Sequence, residues 1–132
     1  MNVDLILVSP ISLDVLASAL GRAAITLHLG RLGRRHHARF ELSREPKDPA
    51  DAIRGFAKLV DELPAPMRRI WSRSTRELDI GFESGFGKGP SEWLIREGVI
   101  QEAARLGVGV RITVYPIQGE PRGKRPARRP AG

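Results

Sequence analysis

The stretch Ala23-Ala24-Ile25-Thr26-Leu27-His28-Leu29-Gly30-Arg31-Leu32-Gly33-Arg34-Arg35-His36-His37-Ala38-Arg39-Phe40-Glu41-Leu42-Ser43 decides the fold. Its second half alternates. Ala38, Phe40 and Leu42 fall on one side of an extended chain, and His37, Arg39, Glu41 and Ser43 on the other. Its first half has β character over Ala23–Gly30, with Ile25, Leu27 and Leu29 expected on one face and Thr26 and His28 on the other. Gly30-Arg31-Leu32-Gly33-Arg34 is the turn between them, so residues 23–43 read as a hairpin.

Upstream, Val3–Ser9 is a nearly continuous apolar run, the mark of a strand buried on both sides or centrally placed, and Pro10 ends it. Ser12 or Asp14 then caps a short helix carrying Val15, Leu16, Ala19 and Leu20, which Gly21 terminates. Downstream, Asp48-Pro49 is a helix start, an N-cap followed by proline at the first helical position. Ile53, Phe56, Ala57, Val60 and Leu63 form the stripe of that helix. Pro64 and Pro66 break it, and a second short helix follows with Met67, Ile70 and Trp71 inside and Arg68, Arg69 and Arg73 outside. Glu77–Glu83 reads as a strand with Leu78, Ile80 and Phe82 inward and Glu77, Asp79 and Glu83 outward. A glycine-rich loop over Ser84–Pro90 leads to a last helix, capped by Ser91, whose buried stripe is Ile95, Val99, Ala103 and Leu106. Gly98 disfavours an early start, since glycine costs about 1 kcal/mol relative to alanine inside a helix. Gly107 stops it, and Gly109–Tyr115 is the last strand, with Val110, Ile112 and Val114 expected inward.

The order is β-α-β-β-α-β-α-β. It predicts an α+β fold: a ferredoxin-like split βαβ sheet (βαββαβ) extended by a C-terminal helix and strand, with helices on one face. The other face is then left open. Thr26, His28, His37, Arg39, Glu41, Asp79, Glu83, Arg111, Thr113 and Tyr115 are expected to line it.

The chain has 132 residues, 41% apolar and 28% charged. That bounds it to one domain over residues 1–118 and a basic tail over 119–132, with about two-thirds of the unfolded surface buried on folding. Cysteine is absent, which removes disulfides, thiolate nucleophiles, iron–sulfur clusters and Cys-based zinc sites. The apolar runs fall far short of the ~20 residues a membrane helix needs. Met1-Asn2-Val3-Asp4 has no basic region leading into an apolar stretch, so a cytoplasmic location is expected. The net charge is +7. The tail holds Arg122, Lys124, Arg125, Arg128 and Arg129 against Glu120, without apolar periodicity, and is expected to be disordered.

Motifs for chemistry fail on spacing or context. Gly81-Phe82-Glu83-Ser84-Gly85-Phe86-Gly87-Lys88-Gly89-Pro90 is one residue too long for a phosphate loop counted from Gly81, and Gly89 stands where Ser or Thr reaches magnesium. His28, His36 and His37 have no carboxylate at a recognisable metal-ligand spacing. Asp79 and Glu83 share a strand face, but solvation or pairing with Arg39 or Arg111 accounts for them without acid–base chemistry. No G-x-S-x-G frames Ser9, Ser12 or Ser91. The sequence therefore predicts no enzyme, no cofactor and no metal. RNA recognition on a sheet of this topology requires aromatic side chains on the central strands. The outward positions there are Asp4, Ile6 and Val8, and His37, Arg39 and Glu41; none is Phe, Tyr or Trp, and two are acidic.

Several segments between Val3 and Tyr115 resemble a bacterial family of uncharacterised domains (domain of unknown function 4279). The resemblance rests on the opening strand with Ser9, the Leu13–Leu20-Gly21 segment, the basic stretch Arg31–Arg39, the Ile53–Leu63 helix, and Ile100-Gln101-Glu102-Ala103-Ala104-Arg105-Leu106-Gly107 followed by Val110-Arg111-Ile112-Thr113-Val114-Tyr115. The family usually carries a proline soon after the first Leu-Gly, where this chain has Arg22-Ala23-Ala24. The resemblance implies a small bacterial protein with no catalytic residues to carry over, akin to immunity proteins that bind and block a toxin.

The function expected from these readings is a protein-binding module, an immunity protein that neutralises a toxin bearing an acidic patch. Its contact residues are expected to be Arg31, Arg34, Arg35, His37, Arg39, Glu41, Asp79, Glu83, Arg111 and Tyr115. The rival expectation is salt-sensitive, non-specific nucleic-acid binding through Arg31, Arg34, Arg35 and the tail residues Arg122, Lys124, Arg125, Arg128 and Arg129.

Overall fold

The computed structural model describes residues 1–84, Pro90 and residues 92–116. Strand β1 (Asn2–Ser9) leads into helix α1 (Asp14–Leu20), then β2 (Ala24–Leu32) and β3 (Arg35–Leu42). Helices α2 (Pro49–Asp61) and α3 (Ala65–Arg73) precede β4 (Thr75–Glu83), and α4 (Glu97–Leu106) precedes β5 (Gly109–Tyr115). The strands form one sheet in the order β2-β3-β1-β4-β5. β1 is antiparallel to both β3 and β4, β2 is antiparallel to β3, and β5 is parallel to β4. Hence β1 and β2 run parallel with β3 between them. The fold is α+β, with a mixed five-stranded sheet and four α-helices among the described residues.

Alternation along the central strands builds the core. Val3, Leu5 and Leu7 stand opposite Ile80, Leu78, Phe40 and Ala38 across the ladders, and all are buried in one cluster with Leu16, Phe56, Val60, Trp71, Val99 and Leu106 of the helices. Local chemistry sets the helix ends. The Asp51 N–H donates to Asp48 Oδ1 at 2.7 Å and Pro49 opens α2, as the Asp-Pro pair predicts. Gly107 ends α4 at φ 72°, a conformation that costs other residues strain. The Trp71 indole N–H donates to the Leu106 carbonyl at 3.2 Å, joining the ends of α3 and α4.

Three expectations are corrected. In β2 the register shifts between Thr26 and His28. The irregularity changes the phase, so Ile25 faces Glu41 on one side of the sheet while Leu29 faces Ala38 on the other, and Thr26 stands beside Phe40 on the core side. Ile25, Leu27 and Leu29 are all exposed, because β2 is an edge strand whose apolar residues the core does not cover. Val110, Ile112 and Val114 do lie on the core side, in register with Leu78, Ile80 and Phe82, yet they are 44%, 54% and 61% exposed. The cause is α4, which packs chiefly on α2 rather than over β5. That helix starts late, as Gly98 leads one to expect, at Glu97 behind an Arg96 cap with no side-chain hydrogen bond, so Ile95, expected in its stripe, precedes it. The expected cap Ser91, the loop glycines 85–89 and the basic tail lie outside the described residues.

Candidate partner-binding face

The face opposite the core is assembled one row at a time. Glu41 of β3, Asp4 of β1, Asp79 of β4 and Arg111 of β5 stand side by side in register. The adjacent row is Arg39, Ile6, Glu77 and Gly109, and beyond it His37, Val8 and Thr75. Each long polar side chain then reaches diagonally. Arg39 Nη1 donates to Asp4 Oδ2 at 2.7 Å. Arg111 forks onto Glu77, with Nε–Oε1 at 2.8 Å and Nη2–Oε2 at 3.1 Å. The Thr113 hydroxyl donates to Asp79 Oδ1 at 2.7 Å. The Glu77 carboxylate raises the Arg111 pKa above its ordinary value, mainly by accepting those bonds.

Asp4 is the unusual member. It is 6% exposed although it lies on the face away from the core. Burying a carboxylate is costly unless its oxygens are paired. Oδ2 is paired with Arg39, but Oδ1 is buried and has no hydrogen-bond partner among the described residues. Its neighbours in the row, Glu41 and Asp79, are half-buried and carry no paired basic side chain among the described residues. Like charges directly opposite one another on a sheet are unfavourable. The centre of the face is therefore a row of three carboxylates, with Arg39 paired to the middle one and Arg111 opposite Asp79 at the end of the row.

Two further features shape the surroundings. Gly81 is buried, and a side chain there would meet Asn2 Oδ1 at 2.6 Å and Tyr115 Cε2 at 3.0 Å, so the bare glycine seats the Tyr115 ring on the sheet. At the other end, Glu41 forms a wall of a depression of about 300 Å³ that also takes in Asn2, Ile25 and Glu45.

Of the expected contact residues, His37, Arg39, Glu41, Asp79, Arg111 and Tyr115 share this face, on strands β3, β4 and β5. Glu83 stands in register with Tyr115 at the far end of β4. Arg31, Arg34 and Arg35 are exposed at the hairpin tip, where Gly33 turns the chain at φ 64°. His36 falls on the core side, in register with Ser9 and Arg31, so the three histidines do not converge. Among the described residues no group of three or more His, Asp or Glu is arranged to hold a metal ion, and no helix is long and apolar enough to cross a membrane. Asp4, Glu77 and Gly81 were not among the expected contact residues. Asp4 carried a signal all the same: it is the one charge inside the apolar run Val3–Ser9.

Comparison with protein-family models, with curated proteins and with solved structures returned no match.

Proposed function

We propose that this protein is a binding module that grips a protein partner on the face bearing Asp4, Glu41 and Asp79, as an immunity protein grips the toxin it neutralises. The strand order supports reading β1 to β4 with their helices as a ferredoxin-like split βαβ unit, extended by α4 and β5, whose helices shield only the core side. The observation that carries the proposal is Asp4 Oδ1, buried on that face with no hydrogen-bond partner among the described residues. A buried polar atom left unpaired costs about 1–3 kcal/mol, so this row is not arranged for the stability of the free chain, and its half-buried neighbours Glu41 and Asp79 are the acceptors a partner can reach. Glu41 and Asp79 on either side set the chemistry of the donor: the ammonium or guanidinium of a lysine or arginine.

This reading changes the charge expected of the partner. Arg39 and Arg111 are engaged by Asp4 and Glu77, so the middle of the face offers negative charge. Among the described residues, the hairpin tip beside this face, with Arg34 and Arg35, offers positive charge to an acidic patch. A partner that matches both carries a basic side chain flanked by acidic ones, a pattern that gives specificity and fast association.

The test uses the full chain as bait in extract from its own cells, beside a Glu41→Gln/Asp79→Asn variant of equal fold by circular dichroism. A stoichiometric protein retained by the wild type and lost by the variant is expected, and that protein should arrest growth when expressed without the bait. Equal retention by both, or no protein at all, overturns the proposal. The exposed arginines of the hairpin tip favour a second reading, nucleic-acid binding. Duplex affinity that falls steeply with salt and disappears in Arg34→Ala/Arg35→Ala would support it instead.

A further inference from the structure

The second unusual surface lies on the other side of the sheet, along β5. Val110, Ile112 and Val114 line up on the core side but are 44% or more exposed. Trp93, stacked on Phe82 with ring centroids 5.7 Å apart, extends this apolar strip beside Val114. β5 is also a sheet edge, and among the described residues no strand pairs with its outer side. An unprotected edge is a template for another strand, and edges that stay single carry lysine, proline or bulges. The opposite edge, β2, has such a device in its register shift between Thr26 and His28. β5 has none: it holds no lysine or proline, its register with β4 is unbroken, and its single charge is tied to Glu77.

We infer that β5 pairs antiparallel with β5 of a second copy about a two-fold axis at Ile112, joining two sheets into one. The sequence Gly109-Val110-Arg111-Ile112-Thr113-Val114-Tyr115 is complementary to itself in this register. Val110 meets Val114 of the second copy, and Ile112 meets Ile112, so the apolar strip doubles in width. On the other side Arg111 meets a neutral threonine, whereas parallel pairing in the same register places arginine beside arginine. Tyr115 meets Gly109, where an added side chain would contact only the Arg76 carbonyl, at 3.9 Å, so the ring has room. The chains continue beyond β5 at opposite ends of the paired strands, about 20 Å apart at ~3.3 Å per residue, which separates the two basic tails. The symmetry is closed, so pairing stops at two copies. The partner face on the other side of the sheet stays free.

Sedimentation equilibrium of the full chain across the micromolar range tests this. A mass twice the 14.6 kDa of one chain is expected. Ile112→Lys should weaken association at least ~10-fold, the effect of losing about 1.4 kcal/mol, and Leu29→Lys on the β2 edge should leave it unchanged. The register is tested separately, because the protein has no cysteine of its own. Ile112→Cys should cross-link to itself under oxidation, since directly paired residues lie within disulfide reach. Val110→Cys should cross-link with Val114→Cys and not with itself. A monomer at every concentration overturns the inference, and so does a dimer that survives Ile112→Lys with no cross-link at position 112. A monomer that dimerises only after removal of residues 117–132, or that holds a different protein at β5, overturns it too and names another occupant for the strip.

Discussion

Arg76 sits where alternation along β4 places an inward side chain, in register with Leu7. A cation there is tolerated because it finds only acceptors. Nη1 donates to the Trp71 carbonyl at 2.6 Å and the Ser74 carbonyl at 2.7 Å, and Nε donates to the Gly107 carbonyl at 2.9 Å. These carbonyls lie at the ends of α3 and α4, where helices leave acceptors unsatisfied and carry negative partial charge. The guanidinium also lies over the Trp71 ring, 5.6 Å from its centroid. One side chain thus closes two helices onto the sheet. Arg76→Ala should cost about 2–3 kcal/mol in urea unfolding, since hydrogen bonds to a charged donor are worth about 1.5–3 kcal/mol each and do not add fully. Arg76→Lys should recover less than half, because an ammonium lacks the planar fork that reaches both helix ends. Gly107→Ala should cost at least about 1 kcal/mol, for the positive φ and because its methyl would meet Arg76 Nη2 at 2.7 Å. The sequence marked Gly107 as a helix stop but held no sign of Arg76's role. A helix stop is written within a few residues, whereas a clamp joins positions more than thirty apart.

Elements with a strong local pattern were the legible ones. β1, β3, β4, α2 and α3 lie within two residues of where periodicity, Asp48-Pro49 and Pro64–Pro66 put them. The edge strands misled, because alternation tells which side of a strand is apolar and not whether anything covers it. The position of α4 decides that for β5, and contacts between helices distant in sequence decide the position of α4. Arg105 holds part of that arrangement. Its guanidinium forks onto Asp61 of α2, at 3.0 and 2.9 Å, and also bonds Glu102 of its own helix. The bonds from Arg105 lower the pKa of Asp61 and of Glu102 below the usual carboxylate values. A carboxylate with a lowered folded-state pKa adds stability above its unfolded pKa, near 4, and loses it as pH falls through the folded value. The wild type should therefore melt above Arg105→Gln at neutral pH, by a small margin because the pair is exposed. The margin should close as pH falls from about 5 to about 2. A margin constant across that range would mean that Arg105 contributes packing rather than charge. At the other end of α2, Asp48→Ala removes the acceptor for the Asp51 N–H and should cost about 1 kcal/mol.

The two sides of the sheet pose opposite problems for the molecule as a whole. On the core side, nothing among the described residues covers the apolar side chains of β5 fully. On the other side stand three carboxylates in one row, and among the described residues an oxygen of the central one has no donor. Residues chosen for stability alone would not be arranged this way, because cross-strand pairs of like charge cost roughly 0.2–1 kcal/mol each. Proteins accept such costs where a surface must meet something else. A sign test follows. Glu41→Gln removes one charge from the row without taking away an ion pair, since Arg39 bonds Asp4. Asp79→Asn keeps a carbonyl oxygen for the Thr113 hydroxyl, which now donates to Oδ1. Together they should raise the stability of the free protein by about 0.5–1 kcal/mol in urea unfolding at low salt, and added salt should shrink the gain as it screens the repulsion in the wild type. Asp4→Asn should behave differently, because it takes the charge from the Arg39 pair as well as from the row, and its net effect should be smaller than that of the double variant. If the double variant is instead less stable than the wild type, Glu41 and Asp79 are holding the fold together, and the row is ordinary sheet surface rather than a seat kept for a basic side chain.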